Sequence, residues 1–297
     1  MFPEDWRIPL ERWIDQAFDW ILDNFAGLFT AVKTVLTGWL RALDAVLLGA
    51  PWWAVLLALF ALTWAGSRRI GAALAVTGCM AGVGLLGLWE MGMQTLSLMI
   101  VSTGLAVLLG FPAGLLMAYN GTARTMMRPV LDLMQTLPSL VFLVPAIILF
   151  GLGKVPAILA TVIYASPPLV RLTDLGLRRV DRDVAEAARA FGANWWQRLI
   201  KVELPLALPS IRAGINQTTM LALSMVVIAS MIGVQGLGQE VLLGLNRLEV
   251  GRGVTAGLAI VLIAIVLDRI TQAWGGRADR LESAGDEKAV RPRGGAG

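Results

Sequence analysis

The sequence predicts an all-α integral membrane protein, a polytopic helical bundle. Three observations carry that reading. Hydrophobic residues make up 57% of the 297-residue chain and charged residues only 15%. Soluble domains average about 45–50% and about 25%. Seven apolar segments reach, or nearly reach, the length that crosses about 30 Å of hydrocarbon. Lys and Arg gather on alternate connections between those segments, as the positive-inside rule requires. This composition excludes an ordinary soluble domain and a disordered chain. Histidine is absent, which excludes His-ligated metals and Ser-His-Asp chemistry. The single cysteine, Cys79, lies in an apolar stretch and reads as packing.

The first element is amphipathic. Over residues 6–28, Trp6, Leu10, Trp13, Ile14, Ala17, Trp20, Ile21, Phe25 and Leu28 share one helical face. Glu11, Arg12, Asp15, Asp19 and Asp23 lie opposite. This segment is expected in the outer interface, anchored on the bilayer by tryptophans. Its acids also argue against a cleavable signal. Residues 1–48 are therefore read as extracytoplasmic or interfacial. Two accessory spans, 50–66 and 70–89, fill the unit 49–94. The core, 95–274, holds spans at 95–118, 138–152, 155–170, 208–232 and 254–272. The two around Gly151-Leu152-Gly153-Lys154 are short, and read either as two tight spans or as a broken pair. The stretch 275–297, rich in Gly and charge, is expected to be a disordered tail.

Alternation of the seven spans puts 18 of the 25 Lys and Arg on one side, beginning with Arg68 and Arg69. The other side holds Arg7, Arg12, Lys33, Arg41, Lys154, Arg247 and Arg252. The split predicts an outside N-terminus and a cytoplasmic C-terminus.

The informative polar stretch lies inside the cytoplasmic connection 171–207. Asp183 followed by Glu186 reads as a helix start. Val184 to Phe191 gives two helical turns, and Gly192 suits the left-handed residue that stops a helix. Asn194 and Gln197 repeat the start signal. A second short helix reaches Leu204, where Pro205 ends it or opens the next span. Helices this short are marginal alone in water. Either the loop lies on lipid, or it is a knob that docks into a cytoplasmic partner through Phe191, Trp195 and Trp196.

The spacing Glu186-Ala187-Ala188, Gly192, Val202, Leu204-Pro205 resembles the EAA signature of ABC importer permeases, with Val202 where Ile is usual. Gln135-Thr136-Leu137-Pro138-Ser139, Phe150-Gly151-Leu152-Gly153, Ala213 to Thr218 and Met231-Ile232-Gly233 resemble the glycine betaine/proline/choline subfamily. The resemblance implies the transmembrane fold of a type I ABC importer in a bacterial inner membrane. It implies import of osmoprotectants, with loop residues Asp183, Glu186, Ala187, Ala188, Gly192, Trp195, Trp196, Leu204 and Pro205 coupling to an ATPase. It also implies a homodimer of permeases, two cytoplasmic ATP-binding subunits and an extracytoplasmic binding protein. About 25 residues follow the last span, so that binding protein is expected as a separate chain. A permease for methionine or a sulfonate is the nearer alternative, and a self-sufficient channel or secondary transporter the further.

No P-loop is present, so ATP hydrolysis is expected on a separate subunit, with no enzyme activity, cofactor or metal here. No nucleic-acid partner is expected. Asn216, Gln217, Thr218 and Thr219 form a polar cluster inside a span. They are candidates for lining the pathway or for interhelical hydrogen bonds. Gly78-x-x-x-Gly82 and Gly110-x-x-x-Gly114 permit close helix contact, within or between subunits.

Overall fold

A computed structural model describes residues 9–289, with side chains through Ala273. Helix α1 spans Leu10–Gly49, α2 Trp52–Ser67 and α3 Ile70–Leu85. Helix α4 spans Trp89–Tyr119 and α5 Gly121–Thr136. A 3-10 turn, Ser139–Phe142, then leads into α6, Leu143–Phe150. Beyond it come α7 Lys154–Arg178, α8 Arg182–Ala190, α9 Trp195–Arg198 and α10 Leu204–Ile228. Helices α11, Leu237–Asn246, and α12, Val250–Ala289, complete the described chain.

Among the described residues, four helices are long and apolar enough to cross a membrane: Trp89–Tyr119, Lys154–Arg178, Trp195–Ile232 and Val250–Ala273. Two further candidates are bent pairs. Helices α1 and α2 meet at 108°, and α5 meets the segment Ser139–Phe150 at 112°. Counting each bent pair as one span gives up to six. The second predicted span, 70–89, is a shorter apolar helix, α3, Ile70–Leu85.

Three boundaries differ from the sequence reading. The first helix continues past residue 28 to Gly49, because no proline interrupts it before Pro51. Its one non-helical residue is Phe25, φ −120° and ψ 15°, near the end of the predicted amphipathic stretch. Trp6, the first residue of that stretch's apolar face, lies outside the described residues. The segment 119–137, taken as a connection, contains α5, whose first turn is capped by Asn120 Oδ1 accepting from the Ala123 amide at 3.0 Å. The last helix runs on to Ala289, where a disordered tail was expected from Gly275. Its Gly275-Gly276 pair is followed by Arg, Ala, Leu, Glu and Lys, good helix formers, with no proline before Pro292. Residues 290–297 lie outside the described part.

The short fourth and fifth segments are also resolved. The chain turns between α6 and α7 through Gly151 (φ +78°) and Gly153 (φ +124°), conformations that glycine adopts without strain. Of the pair, the second is the N-terminal part of a long unbroken helix, α7. The first is a half-span bent away from α5 at Pro138, whose ring cannot donate a helical hydrogen bond.

Helix α7 is the hub, packed on α4 along one face and α10 along another. Helices α2 and α3 pack on α12, where Val55, Val76, Met80, Met93, Leu96 and Val266 form a buried cluster that also touches Cys79. Ion pairs sort to the two ends of the bundle. At the end predicted cytoplasmic, Arg124 Nε lies 3.2 Å from Asp174 Oδ2, and Arg171 pairs with Asp132. Both pairs fasten α5 to α7. At the end predicted outside, Lys154 Nζ lies 2.8 Å from Asp44 Oδ2 and Arg252 Nε 2.7 Å from Glu240 Oε2.

Candidate functional site: the α8–α9 hairpin and its root

The polar connection folds as a helix, a glycine turn and a second helix. Asp181, not Asp183, is the N-cap of α8: its Oδ1 accepts from the Asp183 amide at 2.9 Å. Both residues are competent caps, and the Asp183-x-x-Glu186 spacing drew the start two residues late. Asp183 instead places its charge in the first turn, where the helix dipole favours an anion. At the other end, the Gly192 amide bonds the Arg189 carbonyl at 2.8 Å and the Ala193 amide bonds Ala188 at 3.0 Å. With Gly192 at φ +81°, this is a Schellman closure, which satisfies carbonyls the helix would otherwise leave open. Asn194 and Gln197 make the reciprocal capping box: Gln197 N to Asn194 Oδ1 is 2.8 Å, and Asn194 N to Gln197 Oε1 is 2.9 Å.

Helix α8 has no buried residue. Glu186 and Ala187 are exposed and Ala188 half-buried. Phe191, at the tip beside Gly192, is 92% exposed, and Trp196 63%. A protein chain in water gains by covering such groups, at about 25 cal/mol for each Å² of apolar surface. The hairpin is thus a preformed projection with a bare apolar tip.

Its root is the opposite. After α9 the helix widens into a π turn over Leu199–Glu203, closed by the Leu204 amide on the Leu199 carbonyl. It then continues as α10, so Pro205 opens the span instead of ending the helix. Arg198 and Glu203 are 9% and 7% exposed, and Arg198 Nε lies 2.7 Å from Glu203 Oε1. The Tyr119 hydroxyl, at the end of α4, donates to Glu203 Oε2. The Tyr119 ring also meets Trp195 edge-on, centroids 5.5 Å apart. Sequence reasoning missed Tyr119, Arg198 and Glu203. The available signal was a carboxylate and an arginine five residues apart, directly before an apolar span.

The predicted pathway residues do not share one environment. Thr218 and Thr219 are 0% and 3% exposed, inside the chain, and Thr219 Oγ1 donates to the Ile215 carbonyl at 2.9 Å. Asn216 Oδ1 and Thr218 Oγ1 are buried without a hydrogen-bond partner. Gln217 alone of the four is exposed, on the same helical face as Ala213 and Ser224. The cluster is split because four consecutive helical residues sweep about 300° around the axis.

A family model described as "binding-protein-dependent transport system inner membrane component" matches residues 106–280. The chain is 44% identical over 268 residues to the glycine betaine/proline betaine transport system permease protein ProW of Escherichia coli, covering 90% of this chain and 75% of that one. It is 43% identical over 277 residues to the glycine betaine/carnitine transport permease protein GbuB of Listeria monocytogenes, covering 91% and 97%. It is 44% identical over 266 residues to the glycine betaine transport system permease protein OpuAB of Bacillus subtilis, covering 90% and 94%. Among solved structures, a chain of the methionine ABC transporter MetNI in an inward-facing conformation superposes with a TM-score of 0.52 at 23% identity, covering 66% of this chain and 95% of that one. That likeness concerns the fold.

Proposed function

This chain belongs to the family of binding-protein-dependent transport system inner membrane components, and from that premise we propose that it is the permease subunit of an ATP-driven importer of glycine betaine and related osmoprotectants. The observation that carries the reading is the projecting α8–α9 hairpin with its bare Phe191 tip, in a chain 43–44% identical to permeases named for glycine betaine. Two copies would assemble with two cytoplasmic ATPases, each hairpin seated on one ATPase. Nucleotide-driven closure of the ATPases would move the hairpins and tilt the α4–α7–α10 unit between inward-open and outward-open arrangements.

The domain plan follows: 1–48 an outer interfacial helix, 49–94 an accessory pair, 95–274 the core with its coupling connection 171–207. The N-terminus lies outside and the last helix ends in the cytoplasm. Support for that orientation comes from the 18 to 7 split of Lys and Arg; the ion pairs show only that residues assigned to one side share one end of the bundle. The face of α10 carrying Gln217 and Ser224, left uncovered by its own chain, is the best candidate for the passage between two copies. A quaternary ammonium is usually held by aromatic faces. No tryptophan falls mid-span, with Trp195 and Trp196 in the hairpin. High-affinity selection therefore belongs to a separate binding protein.

The substrate is tested by uptake of labelled glycine betaine in cells expressing the permease with its ATPase and binding protein. Excess proline betaine or choline should compete, and methionine or a sulfonate should not. Competition by methionine or a sulfonate alone would move the substrate and leave the transporter class.

A further inference from the structure

We propose that Glu203 is a positioning residue that passes movement of the hairpin to α4 through Tyr119, with the π turn as its hinge; this rests on the coupling role proposed above. The geometry is specific. In a regular α-helix, residues five apart point about 140° away from each other. Arg198 and Glu203 could not then meet at 2.7 Å. The π turn, Leu199–Glu203, adds the residue that brings them to one side. Pro205 holds the turn open. It has no amide to give Lys201, and its ring would strike that carbonyl in a tight α turn.

A buried carboxylate is tolerated when its lone pairs are engaged. Both Glu203 oxygens are: Oε1 faces Arg198 and Oε2 accepts from Tyr119. One side chain thus joins α9, the first turns of α10 and the end of α4. The Trp195 ring meets the Tyr119 ring edge-on, so a displacement of α9 presses on the same contact. The Tyr119–Glu203 hydrogen bond is the polar tie between the root of the hairpin and α4. Beyond Tyr119, α4 is interlocked with α7 at Gly110 and Gly114. A push on Tyr119 therefore reaches the helices that must tilt.

The test uses the permease purified with its ATPase and placed in vesicles with ATP inside, binding protein outside and glycine betaine as the solute. Tyr119→Phe, Glu203→Gln and the double variant are compared for ATPase co-purification, ATP hydrolysis and solute imported per ATP. Each single variant should keep the ATPase bound and lose about tenfold in import per ATP, the scale of one hydrogen bond to a charged group. The double variant should lose no more than the worse single, because one link is broken once. Arg198→Lys, which keeps the charge, should retain most of the coupling. Normal import per ATP in both single variants would overturn the proposal, as would losses that multiply in the double variant. Loss of ATPase binding with import per ATP unchanged would make the contact a fold-keeping one and also overturn it. If the wild-type complex imports no betaine, the functional reading itself falls, and this proposal falls with it.

Discussion

Gly114 on α4 lies so close to Thr173 on α7 that a Cβ at position 114 would stand 2.6 Å from the Thr173 Cβ and 2.7 Å from the Val170 carbonyl oxygen. No side chain fits there. On α7's other face, a Cβ at Gly176 would stand 2.7 Å from the Ser210 Cβ of α10. Lipid tails are as apolar as leucine, so helices in a bilayer are held by this kind of close fit more than by hydrophobic burial. The three helices approach through glycine notches and form one unit.

That contact predicts a contrast between two glycines. Gly114→Ala should force α4 and α7 apart and cost about 1–3 kcal/mol. Gly78→Ala meets nothing within 4 Å and replaces a flexible helical residue, so it should be neutral or stabilising by up to about 1 kcal/mol. Thermal unfolding of the two variants in detergent checks this. Equal melting temperatures would contradict the notch.

The hairpin predicts a separation of folding from coupling. Gly192 sits at φ +81° with open space around it. A β-branched residue there is strained by about 1–3 kcal/mol but meets no neighbour. Gly192→Val should insert in the membrane at normal levels yet lose ATPase co-purification and uptake. Glu186→Ala, which removes one exposed charge without straining the turn, should lose less. Uptake assays with a membrane-fraction control measure both, and normal uptake by Gly192→Val would defeat the docking role.

The clamp between α1 and the α6–α7 turn predicts topology. Asp44 of α1 pairs with Lys154 at 2.8 Å, and Lys33 Nζ donates to the Phe150 carbonyl at 3.0 Å. Helix α1 therefore lies at the same end as the α6–α7 turn. Reporters placed after Lys33 and at Gly153 should both report outside, and a reporter after Arg280 inside. A reporter at Lys33 that agrees with Arg280 would contradict the map. The pair itself is partly exposed, so Asp44→Asn should change stability by less than about 1 kcal/mol.

What the sequence made legible was local. The Gly192 stop and the Asn194–Gln197 box depend on residues within one turn of each other, and both stand in the structure. The start of α8 was displaced because Asp181 and Asp183 are equally good caps. Helix α5 was missed because it is amphipathic and not apolar, and Pro129 reads as a breaker although the helix passes through it. The Tyr119–Glu203 contact joins residues 84 positions apart, which no local pattern encodes. The Asn216–Thr219 cluster was legible as polar, but which of its members face inward depends on how α10 is rotated against α7 and α4.

The central claim is that this chain carries osmoprotectant inward only when an ATPase and a binding protein drive it. Purified permease–ATPase complex in liposomes, with ATP sealed inside and binding protein added outside, measures that directly. The account predicts accumulation of labelled glycine betaine that stops when either ATP or the binding protein is omitted, and little betaine binding by the complex alone. Betaine uptake that continues without both would contradict it and make the chain a channel or secondary transporter.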